Sequence, residues 1–144
     1  MTDIYSKVKR SQIMASISGK NTKPEIMVRK FLFRNGFRFR INVNTMPGKP
    51  DIVLRKYKTI IFIHGCFWHG HKNCSKAKLP TTNTEFWTTK ILGNIKRDIK
   101  LNSELKQQGW QIITVWECKT KNSKIFAKEM NKIITRLKNN IPLK

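Results

Sequence analysis

The segment from Ile63 to Cys74 reads IHGCFWHGHKNC and concentrates the side chains best suited to chemistry. It contains all three histidines of the chain, two of its three cysteines and an adjacent Phe-Trp pair. Thiolates and imidazoles are the ligands that Zn²⁺ prefers, imidazole accepts a proton near neutral pH, and exposed aromatic rings stack on nucleic-acid bases. The segment could therefore bind a structural metal, catalyse a reaction, contact a partner, or combine these roles.

A structural zinc site needs four ligands, and the spacing of the cysteines and histidines permits two sets. One set is Cys66, His71, Cys74 and Cys118, in which the last cysteine closes the loop onto a core strand. The other set combines Cys66 with His69, His71 and one further cysteine, while a lone cysteine such as Cys118 could equally be a buried thiol. Spacing does not decide between them. A histidine left out of the metal site would be free to act as a general base.

The eight acidic residues of the chain include three whose positions suggest chemistry. Asp51 follows the tight turn PGKP and begins a strand, and the next strand ends at Ile63 beside the metal-ligand segment. A carboxylate placed there could hold Mg²⁺ against a phosphate, although it could also simply cap the turn. Glu25 has the alternative role of closing a helix capping box. Asp98 could instead pair with lysines on its own helix.

Two aromatic pairs flank the metal-ligand segment and the helix that follows it. Phe67 and Trp68 lie between candidate metal ligands, whereas Phe86 and Trp87 begin a long amphipathic pattern. Core packing is the ordinary fate of such residues. Adjacent residues in a loop cannot easily both point inward, so Phe67 and Trp68 favour base stacking or insertion into a duplex.

Periodicity and capping signals predict the elements that position these residues. Thr-Lys-Pro-Glu at 22–25 and Thr-Asn-Thr-Glu at 82–85 are capping boxes, each followed by apolar residues at helical spacing. The expected helices run from Thr22 to Gly36, from Thr82 to about Gln108 and from Ser123 to Asn139, and the expected strands are 37–41, 51–55, 59–63 and 110–116. The chain predicts one α/β domain over residues 1–144, with helices covering a mixed sheet and residues 1–20 as a basic arm or helix.

The excess of basic residues indicates what kind of molecule the protein binds. Lysine and arginine total 30 against 8 aspartates and glutamates, a formal net charge of +22. A lysine-rich composition inflates this number, yet such an imbalance in 144 residues favours a polyanion, above all nucleic acid. No run of about 18 apolar residues predicts a membrane span, and the N-terminus lacks the apolar core of a secretory signal. We therefore expect an intracellular protein that acts on nucleic acid.

Five ordered motifs, PGKPDIV, IFIHGCFWHGH, TEFW, NIKRD and VWEC, resemble the very short patch repair (Vsr-type) DNA mismatch endonucleases over roughly residues 5–120. The resemblance implies a restriction-endonuclease-like α/β core with a structural zinc. It implies Mg²⁺-dependent nicking of one strand next to a T·G mismatch, which arises when 5-methylcytosine deaminates, and the nick starts short-patch repair. The implied partner is double-stranded DNA, with mismatch-repair proteins as further candidates. The family also implies a monomer in the prokaryotic cytoplasm, associated with the nucleoid.

The same resemblance implies roles for individual residues. Asp51 and the main-chain carbonyl of Ile63 correspond to Mg²⁺ ligands, and His69 to the histidine that activates the attacking water. The supporting residues are Glu25, His64, Asn94 and Asp98. The zinc ligands are Cys66, His71, Cys74 and Cys118, which leaves His69 free. The DNA contacts are Phe67, Trp68 and Trp87 at the mismatch, with Met14 and Ile17 in the opposite groove.

Other functions account for part of the same pattern. A nuclease of the same fold with another target, in restriction or defence, would keep the same catalytic residues. A zinc-stabilised DNA-binding module without catalysis would explain the charge, the loop and the aromatics but leave Asp51 and His69 without roles. A basic RNA-binding protein of the ribosome would not need the HGCFWH segment.

Overall fold

The computed structural model describes residues 22–139, in which three α-helices cover a four-stranded mixed sheet. The helices are α1 (Lys23–Arg34), α2 (Thr84–Gln107) and α3 (Ser123–Asn139), and the strands are β1 (Arg40–Ile41), β2 (Ile52–Leu54), β3 (Thr59–His64) and β4 (Gln111–Trp116). The predicted α/β class and the mixed sheet are confirmed. The predicted N-terminal arm, with Met14 and Ile17, lies outside the described residues.

The sheet has the order β1-β2-β3-β4, with β3 antiparallel to β2 and parallel to β4. A short 3₁₀ turn at Arg55–Tyr57 and a left-handed Lys58 close the β2–β3 hairpin. Helix α2 then crosses over to β4, so that β3 and β4 end side by side with His64 opposite Trp116. The polar segments after both strands consequently meet at one edge of the sheet.

Both faces of the sheet are covered, because β3 is apolar on both of its faces. On one face, Ile61 belongs to a cluster with Leu32 of α1 and Met130 of α3. On the other face, Ile60 and Phe62 pack with Leu105 of α2. Helices α1 and α2 therefore lie on opposite faces of the sheet, on either side of the point where β3 ends. No helix within residues 22–139 is both long enough and apolar enough to cross a membrane.

The two capping-box predictions have different outcomes. The Thr22 hydroxyl accepts the Glu25 N–H at 3.4 Å, so the predicted helix start with Thr22 as N-cap is confirmed. The second is wrong, because α2 begins at Thr84 and its N-cap residue, Asn83, has φ of +53° and no capping hydrogen bond from its side chain. The Thr84 hydroxyl instead donates to the carbonyl of Pro80 at 3.2 Å, since the chain turns back just before the helix. The first strand is also shorter than predicted, because Phe37 turns into the core against Tyr57.

Candidate active site

A cleft of about 440 Å³ opens where β3 and β4 end. Its walls come from the first turn of α1, the turn before β2, the end of β3, the middle of α2 and the residue after β4. The polar side chains that line it are Thr22, Glu25, Lys49, Asp51, His64, His69, Asp98, Asn102 and Glu117, and Trp68 also lines it. Five of the six residues expected from the sequence to be catalytic therefore share one cavity, and the sixth, Asn94, lies outside it.

Asp51 occupies the point where the β2–β3 ladder stops. Backbone pairing ends at Ile52 opposite Ile61, and beyond it Oδ2 of Asp51 accepts the Ile63 N–H at 2.7 Å. In an antiparallel ladder the N–H and C=O of one residue face the same neighbouring strand. The Ile63 carbonyl therefore projects toward the side that Asp51 occupies, and the two offer oxygen ligands of the kind a hard cation requires.

Burial raises the pKa of Asp51 to about 6, with a smaller upward contribution from the negative charge of Glu25. The Ile63 N–H opposes this shift, because a hydrogen bond to the carboxylate favours its charged form. Glu25 is itself 5% exposed and accepts a hydrogen bond from Arg29 at 3.1 Å. The two carboxylates thus form a partly desolvated negative site, which a bound cation would stabilise.

His69 is oriented by a carboxylate from α2. Its Nδ1 lies 2.6 Å from Oδ2 of Asp98, which can only accept a hydrogen bond when ionised. The neutral imidazole must therefore carry its proton on Nδ1, leaving the lone pair of Nε2 available as a base. A histidine held in one tautomer by a carboxylate is the arrangement of a general base.

His64 forms a neutral platform under His69. Its ring stacks on His69 with centroids 3.8 Å apart and an angle of 4°, and it also contacts the rings of Trp116 at 5.3 Å and Phe62 at 5.7 Å. Burial, followed by the nearby His69, lowers the pKa of His64 to about 4. At neutral pH, His64 is uncharged and supports the His69 ring without adding a second positive charge.

Helix α2 holds the loop after β3 through residues one turn apart. Asn94 Nδ2 donates to the Trp68 carbonyl at 2.9 Å, and Asp98 contacts the adjacent residue, His69. Gly70, with φ of +60°, lies so close to the helix that an added Cβ would be 2.6 Å from the side chain of Ile95. Asn94 was expected among the supporting residues of the active site, and the structure places its side chain against the loop backbone.

A second cluster of ligand-type residues lies behind this loop. The ligand atoms of Cys66, His71, Cys74 and Cys118 all lie within 4.8 Å of one another, and His71 Nδ1 is 3.6 Å from the Cys118 sulfur. Burial raises the pKa of Cys66 to about 12, so a thiolate there needs a nearby cation. Three sulfurs and one imidazole are a donor set that suits Zn²⁺. Of the two ligand sets left open by spacing, the structure assembles the one without His69.

The predicted DNA-contacting aromatics form one cluster beside the cleft, in which Trp68 is exposed and Phe67 and Trp87 are half-buried. Phe67, Trp68 and Trp87 contact one another with ring centroids between 5.3 and 5.8 Å apart. Trp68 is 49% exposed, and Phe86, stacked edge-on against Trp87 at 5.1 Å, is 59% exposed. The cluster presents aromatic surface to solvent at the edge of the cleft, which suits base stacking.

Sequence reasoning missed two charged residues that line the cleft, Lys49 and Glu117. Glu117 follows directly on the Trp116 that pairs with His64, so the parallel pairing of the two strands was the signal that could have found it. Lys49 lies two residues before Asp51 in the PGKP turn, where it was interpreted only as part of the turn.

Comparison with known proteins gives concordant matches. Residues 2–76 match the profile of a family described as DNA mismatch endonuclease Vsr. The chain is 52% identical over 138 residues to the type II nicking enzyme V.NmeAIP of Neisseria meningitidis, covering 96% of this chain and 98% of that protein. It is 42% identical over 118 residues to the DNA mismatch endonuclease Vsr of Escherichia coli, covering 82% and 75%. It is also 36% identical to the type II nicking enzyme V.HpaIIP of Haemophilus parainfluenzae, covering 93% and 96%.

Proposed function

This chain belongs to the Vsr family of DNA endonucleases, and on that premise we propose that it nicks one strand of a DNA duplex beside a T·G mismatch, with Mg²⁺ as cofactor. One observation carries the proposal: Asp51 and the His69–Asp98 pair line one cleft, and the exposed aromatic cluster lies at its edge. A DNA-binding module would not need a buried carboxylate and an oriented imidazole in the same cavity. The fold around them fits the restriction-endonuclease-like core that the motifs imply.

The reaction is hydrolysis of a phosphodiester, which requires a base, a positioned water and neutralisation of the phosphate charge. His69 removes the proton of the attacking water through Nε2, and Asp98 stabilises the imidazolium that results. His64 stays neutral beneath it. The mixed-charge cleft excludes bulk water once DNA covers it, which strengthens each of these interactions.

Two metal ions belong to the proposal, and the residues present suit both. Asp51 and the Ile63 carbonyl would hold Mg²⁺, which supplies positive charge to the phosphate. Cys66, His71, Cys74 and Cys118 would hold a structural Zn²⁺. Because His69 lies between Cys66 and His71 in sequence, a cation that fixes these two ligands also fixes the position of the base.

Mismatch preference follows from the exposed aromatic cluster. Inserting a ring between base pairs costs a few kcal/mol of unstacking, and a mismatched pair is the least costly to open. The net charge of +22 supplies affinity for the backbone of any sequence. The proposed substrate is therefore duplex DNA with a mismatch. As the family resemblance implies, we propose that the protein meets it as a monomer in the prokaryotic cytoplasm, with mismatch-repair proteins as further partners.

The test uses duplexes that are identical except for one T·G pair, with each strand labelled at a different end. We expect, with Mg²⁺, one cut beside the T of the mismatched duplex and none in the matched duplex. The His69→Ala variant should bind the mismatched duplex but leave it intact. Tight binding by the wild type without any cut, at all Mg²⁺ concentrations, would contradict the enzymatic proposal.

A second candidate is a nuclease of the same fold that acts on another DNA target in restriction or defence. The names of two relatives, type II nicking enzymes, favour keeping this alternative. It predicts that matched and mismatched duplexes are cut at equal rates, or that both strands are cut. The same labelled duplexes therefore distinguish the two functions.

A further inference from the structure

The turn before β2 places Lys49 at the cleft, two residues before Asp51. Four carboxylates, those of Glu25, Asp51, Asp98 and Glu117, line the same cavity. A phosphodiester also carries negative charge, so the cavity repels it unless cations compensate. Among the cleft-lining side chains of residues 22–139, Lys49 alone is a lysine or arginine.

The backbone of Lys49 is unfavourable for a lysine. Its φ is +48°, a left-handed conformation that side-chain-bearing residues other than Asn and Asp rarely adopt. Within the described residues, the other left-handed lysine is Lys58, whose ammonium lies 4.1 Å from the Trp110 ring centroid and so has a structural role. The Lys49 side chain makes no hydrogen bond or ion pair with residues 22–139. A left-handed backbone whose side chain has no partner within residues 22–139, at a position that lines the cleft, points to function.

The turn holds Lys49 firmly in this position. The Lys49 N–H donates to the Met46 carbonyl at 3.1 Å, and the Val43 N–H donates to the Pro50 carbonyl at 3.2 Å. Gly48, with φ of +77°, packs on α2 so closely that an added Cβ would lie 3.1 Å from the Leu101 side chain. The Cα atoms of residues 49 and 51 can be at most about 7 Å apart. An extended lysine side chain is long enough to span that distance, so a phosphate bound at Asp51 lies within reach of the Lys49 ammonium.

We propose that Lys49 is a catalytic residue whose ammonium contacts a non-bridging oxygen of the phosphate that is cleaved. This inference rests on the proposed nicking function. It adds the positive charge of Lys49 to the mechanism, beside Mg²⁺ and the imidazolium form of His69. The attacking water forms the new oxygen–phosphorus bond and gives a proton to His69, and the bond from phosphorus to the leaving oxygen breaks. The leaving oxygen takes a proton from solvent. Lys49 keeps its proton and stabilises the negative charge that accumulates on the phosphate oxygens.

Lys49→Asn separates catalysis from folding, because Asn adopts the left-handed conformation more readily than Lys. With protein in excess over a labelled T·G duplex and at saturation, the single-turnover nicking rate should fall on the order of 10²-fold. The Tm should be equal to or higher than that of the wild type. Lys49→Arg keeps a positive charge and should recover most of the lost rate.

The matched control is Lys58→Asn, which makes the same exchange at a left-handed lysine outside the cleft. It should nick at the wild-type rate. Nicking by Lys49→Asn within about twofold of the wild type would overturn the inference, and so would a rate loss accompanied by a clear fall in Tm. If the wild type itself leaves the T·G duplex intact in the same assay, the proposed function fails before Lys49 is tested.

Discussion

The ionised side chain of Asp51 is predicted to lower the free energy of unfolding, because this carboxylate is buried at the proposed active site. Burial raises its pKa from 3.8 to about 6, so ionising this carboxyl is less favourable in the folded than in the unfolded chain. The difference of about two pKa units corresponds to about 3 kcal/mol, at 1.36 kcal/mol per unit. Asp51→Asn removes the charge and keeps an oxygen that can accept the Ile63 N–H. In Mg²⁺-free buffer at pH 7.5, this variant should be more stable than the wild type by up to about 3 kcal/mol.

The sign of the pH dependence follows from the raised pKa. Below pH 3.8 both folded and unfolded Asp51 are protonated, and the wild type and the variant should be equally stable. As the pH rises from 3.8 to about 6, the unfolded chain releases this proton first, so the wild type loses stability relative to Asp51→Asn. The gap should therefore open between pH 4 and 6 and remain constant above that range.

Thermal and urea unfolding at several pH values measure this gap, which corresponds to roughly 10 °C in Tm at neutral pH. Chelators must be omitted, since they would also remove a structural zinc. Glu85→Gln, an exposed carboxylate in the first turn of α2, is the matched control and should show no comparable gain. Added Mg²⁺ should raise the Tm of the wild type and not that of Asp51→Asn. A variant less stable than the wild type, or a gap that is the same at pH 4 and pH 8, would refute the reasoning.

Three further predictions concern the other groups of the site. Asp98→Asn should lower the nicking rate by 10²- to 10⁴-fold, because His69 loses the partner that fixes its tautomer. The affinity for DNA should not change, and an unchanged single-turnover rate would contradict the role of Asp98. Cys118→Ser should lower the metal content measured by mass spectrometry and lower the Tm by well over 10 °C, whereas retention of both would exclude a structural metal. Trp68→Ala should weaken binding to a T·G duplex by about 1–3 kcal/mol and binding to a matched duplex less, as measured by fluorescence anisotropy.

The sequence predicted the order of the elements because their signals are local. The apolar run TIIFI and the capping residues around Glu25 depend on neighbours within a few positions, and both correspond to elements of the structure. The start of α2 was predicted two residues early, at Thr82. That error arose because the same motif, Thr-x-x-Glu, is compatible with a turn in which Thr84 bonds backward to Pro80.

Pairing across the sheet could not be derived from local signals. To choose between the two ligand sets, one must know that Cys118 follows β4 and that β4 lies parallel to β3. This pairing brings Cys118 to Cys66, which is 52 positions away in sequence. Glu117 was missed for the same reason, since nothing near it in sequence indicates a cleft. The turn that contains Lys49 approaches α2 at Gly48 and Leu101, which is again a contact between positions distant in sequence.

The arrangement of rings in the site explains why the ligand-type residues and the proposed base, His69, occupy one short segment. The ring of His71 stacks on Trp116 with centroids 4.1 Å apart, Trp116 contacts His64 at 5.3 Å, and His64 stacks on His69 at 3.8 Å. Packed rings have no free volume through which one can tilt alone. A cation that fixes His71 therefore restricts Trp116, then His64, and finally the base. Asp98 fixes the same imidazole from the other side through one hydrogen bond. The imidazole of His69 is held between a rigid stack and a carboxylate, which is the preorganisation that the proposed proton transfer to Nε2 requires.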